Sequence, residues 1–302
     1  MITIGSAFSG IGGFELGLME SFRYNGRRSR TIWQIEKDPY CQRVLKERFP
    51  SAVQYDDITT CKHLPSVDVV CGGFPCQDLS SAGKRTGLEG SRSGLFYELS
   101  RVVRMVRPTL WIMENVSGIY SSGLRDVLRE VSDCGYDGFW TTLRASDVGA
   151  PHKRARWFFV GVMADADGIG SDTRTRLSEL ERTPLSDSNG RGRSYEALVD
   201  ADGVGLHSRG SESTCRDRRS RHSSNRRKCQ IEPGMGRNTY GISVSLDSHK
   251  WPSGPGRQYE FEPPRTRSRQ RYDIERLKAL GNSIVPQCSF AIGNFICEEL
   301  LR

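Results

Sequence analysis

Hydrophobic and polar positions divide the chain into three parts. Over the first 162 residues, short apolar runs alternate with amphipathic stretches. The runs Thr3 to Phe8, Thr31 to Ile35, Val67 to Cys71, Leu110 to Met113 and Trp157 to Val162 predict strands. Between them, Gly13 to Phe22 and Leu95 to Val106 predict helices. In the second of these, Leu95, Leu99, Val102, Val103 and Val106 recur at helical spacing. Strands alternating with helices predict an α/β fold, a parallel sheet with helices on both faces.

From about Ala164 to about Tyr272 the pattern changes. Arg, Ser, Gly and Asp dominate, and large apolar residues are few. A short pattern recurs as Asp165-Ala166-Asp167-Gly168-Ile169-Gly170, Asp187-Ser188-Asn189-Gly190-Arg191-Gly192 and Asp200-Ala201-Asp202-Gly203-Val204-Gly205. It has the look of a calcium loop without the later bidentate Glu, so plain turns are expected. With little apolar material for its own core, this stretch is expected to be irregular. Order returns at Arg276. Pro286 suits the first turn of a helix, and the apolar segment Phe290 to Leu301 is expected to pack back onto the first part. The expected organisation is therefore residues 1–162 plus 273–302 as one unit, with 163–272 as a second, basic region.

Composition narrows the class. The chain has 302 residues, 44 Lys and Arg against 36 Asp and Glu, and a formal net charge of +8. A basic balance favours an anionic partner, nucleic acid first. Nine scattered cysteines, with Cys71, Cys288 and Cys297 inside apolar stretches, point to reduced thiols. Met1 leads into Thr3-Ile4 without a charged segment and long apolar run, and no apolar run approaches the ~20 residues of a membrane span. A soluble, cytoplasmic protein is expected, without a membrane partner.

Four segments carry chemistry. The first strand runs into Ser9-Gly10-Ile11-Gly12-Gly13, a glycine loop of the kind that lets backbone approach a nucleotide-type ligand. Glu36 ends the next strand, where an acid meets ribose hydroxyls, and Asp57-Ile58 follows a third short run. A purely structural glycine turn is the competing reading. The second segment, Gly72-Gly73-Phe74-Pro75-Cys76-Gln77, lies at the carboxyl end of a strand. Pro75 fixes its own φ and extends Phe74, so Cys76 follows stiff backbone, a setting for a nucleophile rather than for a buried hydrophobe. Third, Glu114 leaves an apolar strand in Ile112-Met113-Glu114-Asn115-Val116. Partial desolvation would raise its pKa and suit a proton donor, or it caps the following loop. Fourth, Arg154 and Arg156, two apart on an extended segment, point the same way and address one group, or form a solvated edge.

These blocks, Phe8-Ser9-Gly10-Ile11-Gly12, Pro75-Cys76-Gln77, Glu114-Asn115-Val116, His152-Lys153-Arg154-Ala155-Arg156 and Gly281-Asn282-Ser283, resemble the DNA (cytosine-5) methyltransferase family of bacterial and phage type in order and spacing. The likeness covers residues 1 to about 162 and about 273 to 302. It implies a Rossmann-like methyltransferase domain with a small, irregular target-recognition segment, S-adenosylmethionine as methyl donor and double-stranded DNA as substrate. It also implies a catalytic set of Cys76, Glu114, Arg154 and Arg156. Phe8, Ile11, Gly13, Glu36, Asp57, Ile58, Pro75, Leu95 and Asn282 would line the cofactor site, and Ser80 to Gly94 would close on DNA. Whether a restriction endonuclease of the same system is a partner stays open, and a monomer is the expected state. His152 departs from the pattern, standing where the family usually has Gln. A catalytically idle DNA-binding relative and an RNA cytosine-5 methyltransferase stay open as alternatives.

The middle region would supply target recognition. Arg265, Arg267, Arg269 and Arg271 alternate, which places them on one side of an extended segment and suits phosphate contact. Arg216, Arg218, Arg219, Arg221, Arg226, Arg227 and Lys228 form a second basic run, equally readable as a solvated linker. Cys215, His222 and Cys229 fit no common zinc spacing, so no metal is expected.

Overall fold

A computed structural model describes residues 1–75, 94–121, 123–164 and 272–301, together with the backbone of 185–186, 192–193 and 198–199. The expectations for Cys76, for the loop before Gly94, for the alternating arginines and for the Cys215, His222 and Cys229 trio therefore lie outside the described residues.

The strands are β1 (Ile2–Ala7), β2 (Ser29–Ile35), β3 (Val53–Tyr55), β4 (Val69–Gly73), β5 (Leu110–Val116), β6 (Tyr136–Arg144) and β7 (Ala155–Met163). The α-helices are α1 (Gly13–Tyr24), α2 (Pro39–Arg48), α3 (Gly94–Val106), α4 (Leu124–Asp133), α5 (Asp273–Asn282) and α6 (Pro286–Phe295). Across the sheet the order is β6-β7-β5-β4-β1-β2-β3, and the two-residue strand Leu198–Val199 pairs antiparallel beside β6. Strands β1 to β5 pair in parallel, but β7 runs antiparallel to both β5 and β6. The sheet is thus mixed, not parallel throughout. The expected strands each appear, with shifted ends. Two more, β3 and β6, lacked a clear apolar alternation. Gly138 interrupts β6, and β3 is a three-residue edge strand.

Side chains alternate across the sheet and build two cores. Val70, Trp111, Met113, Trp157 and Phe159 face one layer with Phe96, Leu99, Val102 and Val103 of α3 and Val127 and Val131 of α4. Val69, Cys71, Leu110, Ile112, Phe158 and Val160 face the other, with Phe14, Leu18 and Phe22 of α1 and Ile292 of α6. Because β4, β5 and β7 are covered on both faces, they read as near-continuous apolar runs.

The return of the chain's end onto the first unit, expected from its apolar pattern, is seen in the packing of α1 against α6. Pro286 opens α6 at its first turn. Small residues let the two helices approach: a Cβ added at Gly17 would lie 2.1 Å from the Pro286 carbonyl oxygen, and one at Gly293 would lie 2.5 Å from Ser21 Oγ. The Ser289 hydroxyl donates to the Gly13 carbonyl across 3.3 Å. The last segment thereby docks on the glycine loop that opens α1.

Candidate active site

The first half of the site is the loop after β1. Phe8, Gly10 and Gly12 all take positive φ, of 55°, 56° and 83°. Among the described residues a Cβ at Gly10 would meet nothing within 4 Å, so the loop's backbone borders open space there. Phe8 is not a glycine, and left-handed backbone at such a residue costs on the order of 1 kcal/mol or more. Its ring packs on the α3-side core, which holds that conformation. The Glu36 carboxylate, at the end of β2, accepts the Gly10 N–H at 2.7 Å on one oxygen and the Asp38 N–H at 2.8 Å on the other. Each oxygen retains acceptor capacity. Glu36 is half-buried and braces the loop.

Asp57 and Ile58 begin a 3-10 turn, Ile58–Thr60. Asp57 caps it, accepting from the Thr59 N–H at 3.0 Å and its hydroxyl at 2.8 Å, and pairs with Lys37 Nζ at 2.9 Å. The hydrogen bond from Lys37, then those from Thr59, hold its carboxyl down at about 2. Ile58 is buried in the α3-side core, where Leu95, in the first turn of α3, also packs. Asn282, the last residue of α5, is exposed. The next two residues cover the glycine loop: a Cβ on Gly13 would lie 2.7 Å from the Ile284 carbonyl oxygen and 2.8 Å from Ser283 Oγ. The fold thus gathers Phe8, Ile11, Gly13, Glu36 and Asn282 around one loop at the carboxyl edge of β1 and β2. Asp57 and Ile58 stand beyond β3 on the same edge.

The second half lies at the carboxyl ends of β4 and β5. Gly73 pairs with Glu114, and Glu114 and Val116 stand opposite Phe158 and Arg156 of β7. Glu114 and Arg156 are therefore diagonal neighbours on one face, close enough for long side chains to meet. Arg156 Nε lies 2.8 Å from Glu114 Oε1. Burial pushes the Glu114 carboxyl up to about 7, while Arg156 and then Arg154 pull the other way. Desolvation prevails because the carboxylate sits among sheet side chains and is only 16% exposed. Buried Asn115 donates from Nδ2 to the Phe74 carbonyl at 3.3 Å, tying the end of β4 to the end of β5. The half-buried Pro75 follows, and the chain enters Cys76 directly from there.

Arg154 and Arg156 share an extended strand entrance, as expected, but they hold different partners. Arg154 Nη2 donates to the Ser283 carbonyl at 2.8 Å. That hydrogen bond joins the entrance of β7 to the segment lying on the glycine loop. His152 is exposed. Two contributors stood in the quoted segments without an assigned role. Gly73 leaves room for Glu114, and Ser283 supplies the carbonyl that holds Arg154. A glycine pair at a strand end was a signal for the first; nothing in the local sequence signalled the second. Among the described residues Cys41, Cys61, Cys71, Cys134, Cys288 and Cys297 are free and buried, no group of His, Cys, Asp and Glu could hold a metal ion, and no helix is long and apolar enough to cross a membrane.

Two half-sites thus lie at neighbouring strand ends, one a glycine loop braced by an acid and the other a buried carboxyl beside an arginine. The chain is similar to the type II methyltransferase M2.BsuMI of Bacillus subtilis (strain 168), at 40% identity over 50% of this chain and 39% of that protein. Its likeness to the type II methyltransferase M.NlaIV of Neisseria lactamica is 31% identity over 55% of this chain and 42% of that protein. It spans well under two thirds of the length of these relatives. Among solved structures, the S. pombe Dnmt2 methyltransferase aligns at 18% identity and a TM-score of 0.44 over 63% of this chain and 59% of that one. The profile of the C-5 cytosine-specific DNA methylases matches residues 2–246, and with this match over most of its length the chain, a Rossmann-like methyltransferase in fold, belongs to that family.

Proposed function

We propose that this protein transfers a methyl group from S-adenosylmethionine to carbon 5 of cytosine in double-stranded DNA, through a covalent adduct of Cys76 with a flipped base. The observation that carries the reading is the Glu114 carboxyl, raised to about 7 beside Arg156 at the strand end next to the chain's entry into Cys76.

The residues fit the donor. The open space at Gly10, the Glu36 oxygens with acceptor capacity left and the neighbouring Asp57-Ile58 turn suit an adenine nucleoside whose ribose carries an amino acid through a sulfonium. Phe8, Ile11, Gly13, Pro75, Leu95 and Asn282 complete that wall. S-adenosylmethionine supplies an electrophilic methyl group when bound. Pro75 stiffens the entry to Cys76, whose thiolate forms a bond to carbon 6 of cytosine. Glu114 holds a proton at ring nitrogen 3, so the electron pair displaced by the thiolate is accommodated there and carbon 5 becomes nucleophilic. Arg156 keeps the Glu114 carboxyl in place, and Arg154, fixed by Ser283, lines the same entrance. After carbon 5 is methylated, loss of its proton restores the ring and releases the thiolate. Carbon 6 is stacked in a duplex, so the base must leave the helix.

The test is bisulfite sequencing of DNA from cells producing the wild-type protein and a Cys76→Ser variant. Protected cytosines at a recurring site are expected with the wild type and none with the variant. A hydroxyl is far less nucleophilic than a thiolate near neutral pH. Protection by neither protein, with binding to duplex DNA intact, would make the chain an idle DNA-binding relative. Transfer to transfer RNA and not to duplex DNA would make it an RNA enzyme.

A further inference from the structure

Arg101 of α3 makes hydrogen bonds that nothing in the reaction above uses. Its Nη1 donates to the Cys61 carbonyl and its Nη2 to the Ile58 carbonyl, each at 2.7 Å. Its Nε donates to Glu98 Oε2 at 2.8 Å. Ile58 and Cys61 bracket the short 3-10 turn that Asp57 opens. The Ile58 carbonyl accepts the Cys61 N–H at 3.3 Å within the turn and takes Arg101 as a second donor, the Cys61 carbonyl lies just past the turn's end, and a planar guanidinium presents paired donors in a fixed fork that reaches both. Arg101 closes the turn from below as Asp57 caps it from above.

The position of the turn makes this anchor important. It hangs between β3, a three-residue strand at the sheet's edge, and residues 61–67, which have no regular structure. Ile58 is buried, and Trp33 Nε1 holds the Pro65 carbonyl at 2.9 Å further along. The carbonyls of the turn itself are fixed to the body of the domain by Arg101. Residue 101 sits two turns into the helix that begins at Gly94, and it reaches back across about forty positions of sequence to do so.

We propose that Arg101 is a positioning residue for the adenine-side wall of the cofactor site, setting where Asp57 and Ile58 meet the base. The inference rests on the reading of that turn as part of the cofactor site. A methylene-borne ammonium cannot span both carbonyls in one plane, so Arg101→Lys keeps the charge and loses the fork. Arg101→Ala loses both.

The experiment is calorimetric titration of the folded protein with S-adenosylhomocysteine and with its counterpart carrying hypoxanthine in place of adenine. Wild-type protein is expected to prefer the adenine compound. Arg101→Ala is expected to bind it roughly tenfold more weakly, the scale of losing a charged hydrogen bond. The preference over the hypoxanthine compound should shrink, Arg101→Lys should fall between, and duplex DNA should bind unchanged without cofactor. A purely structural role would lower the melting temperature but leave the ratio of the two affinities as it was. An unchanged ratio in both Arg101 variants, while Ile58→Ala alters it, overturns the inference and leaves the cofactor reading standing. If Ile58→Ala and Asp57→Asn also leave both affinities unchanged, the cofactor reading of the turn falls, and the role of Arg101 with it.

Discussion

Arg156 Nε and Glu114 Oε1 meet at 2.8 Å because β5 and β7 pair antiparallel with Val116 opposite Arg156, so Glu114 is the arginine's diagonal neighbour on one face. A shift of register by one residue would send the arginine to the other face and leave the carboxyl among apolar side chains without its cation. The pairing of two strands thus sets which cation faces the carboxyl and moderates the rise that burial imposes on it.

That affinity gives a pH prediction. The Glu114 carboxyl is raised from the ordinary 4.5 to about 7, chiefly by burial. Between those values the folded protein keeps a proton that the unfolded chain has released. The resulting contribution to stability is full below the ordinary value and is lost as pH rises to about 7. Replacing Glu114 with Gln removes that dependence, so the melting-temperature difference between variant and wild type should move in the variant's favour from pH 5 to pH 8. Single-turnover methylation should decline above pH 7 in the wild type as Glu114 loses its proton. Glu114→Gln should be slower by roughly 10²–10⁴-fold and lack that limb. A limb that persists in the Gln variant would assign it to another group.

Gly73 tests the same arrangement from the neighbouring strand. A Cβ at this position would lie 2.7 Å from Glu114 Oε2. The carboxyl is the end of a flexible side chain, so it can move aside at little cost to the fold. Gly73→Ala should therefore leave the melting temperature within a few degrees of wild type. Methyl transfer should fall on the order of tenfold to a hundredfold, because a catalytic group displaced by about 1 Å loses its alignment. Wild-type rates in this variant would mean that the Glu114 carboxyl is not aligned in the way the resting structure has it.

Glu36 joins two backbone donors, Gly10 N–H and Asp38 N–H, at 2.7 and 2.8 Å. Gln in its place turns one acceptor into a donor facing an N–H. The unpaired group should cost roughly 1–3 kcal/mol, expressed as looser S-adenosylmethionine binding. Affinity for DNA without cofactor should not change. Calorimetry in which Glu36→Gln and Glu36→Ala both bind the cofactor as the wild type does would remove this acid from the site.

What the sequence made legible follows from locality. Strands β4, β5 and β7 are buried on both faces, and their apolar runs carried the positions of Pro75, Glu114, Arg154 and Arg156 with them. The glycine loop announced itself because Gly10 and Gly12 need left-handed backbone. The antiparallel β7 was not legible. An apolar run gives burial but not direction, and direction here depends on the β6–β7 pairing, with β6 broken in pattern by Gly138. The different partners of Arg154 and Arg156 were hidden for a related reason. Same-side alternation along a strand is local, but the Ser283 carbonyl that claims Arg154 comes from 129 positions away.

The alternating arginines remain a sequence inference, and binding thermodynamics addresses them directly. Arg265, Arg267, Arg269 and Arg271 lie just before Tyr272, the residue from which α5 begins, and α5 leads through Asn282 and Ser283 to the glycine loop. Charge placed there would border the site. If all four arginines bind phosphates, neutralising any one of them should reduce the salt slope of log affinity by ~0.9 in magnitude. Replacing Arg267 and Arg269 with Gln should weaken binding at low salt and flatten the slope by roughly two such steps. Matched and mismatched duplexes should suffer alike, since phosphates carry no sequence information directly. A salt titration on both duplexes makes the measurement. An unchanged slope would reduce the row to a solvated strip. A loss confined to the methylated sequence would instead mean that at least one of the two arginines reads a base edge in a groove.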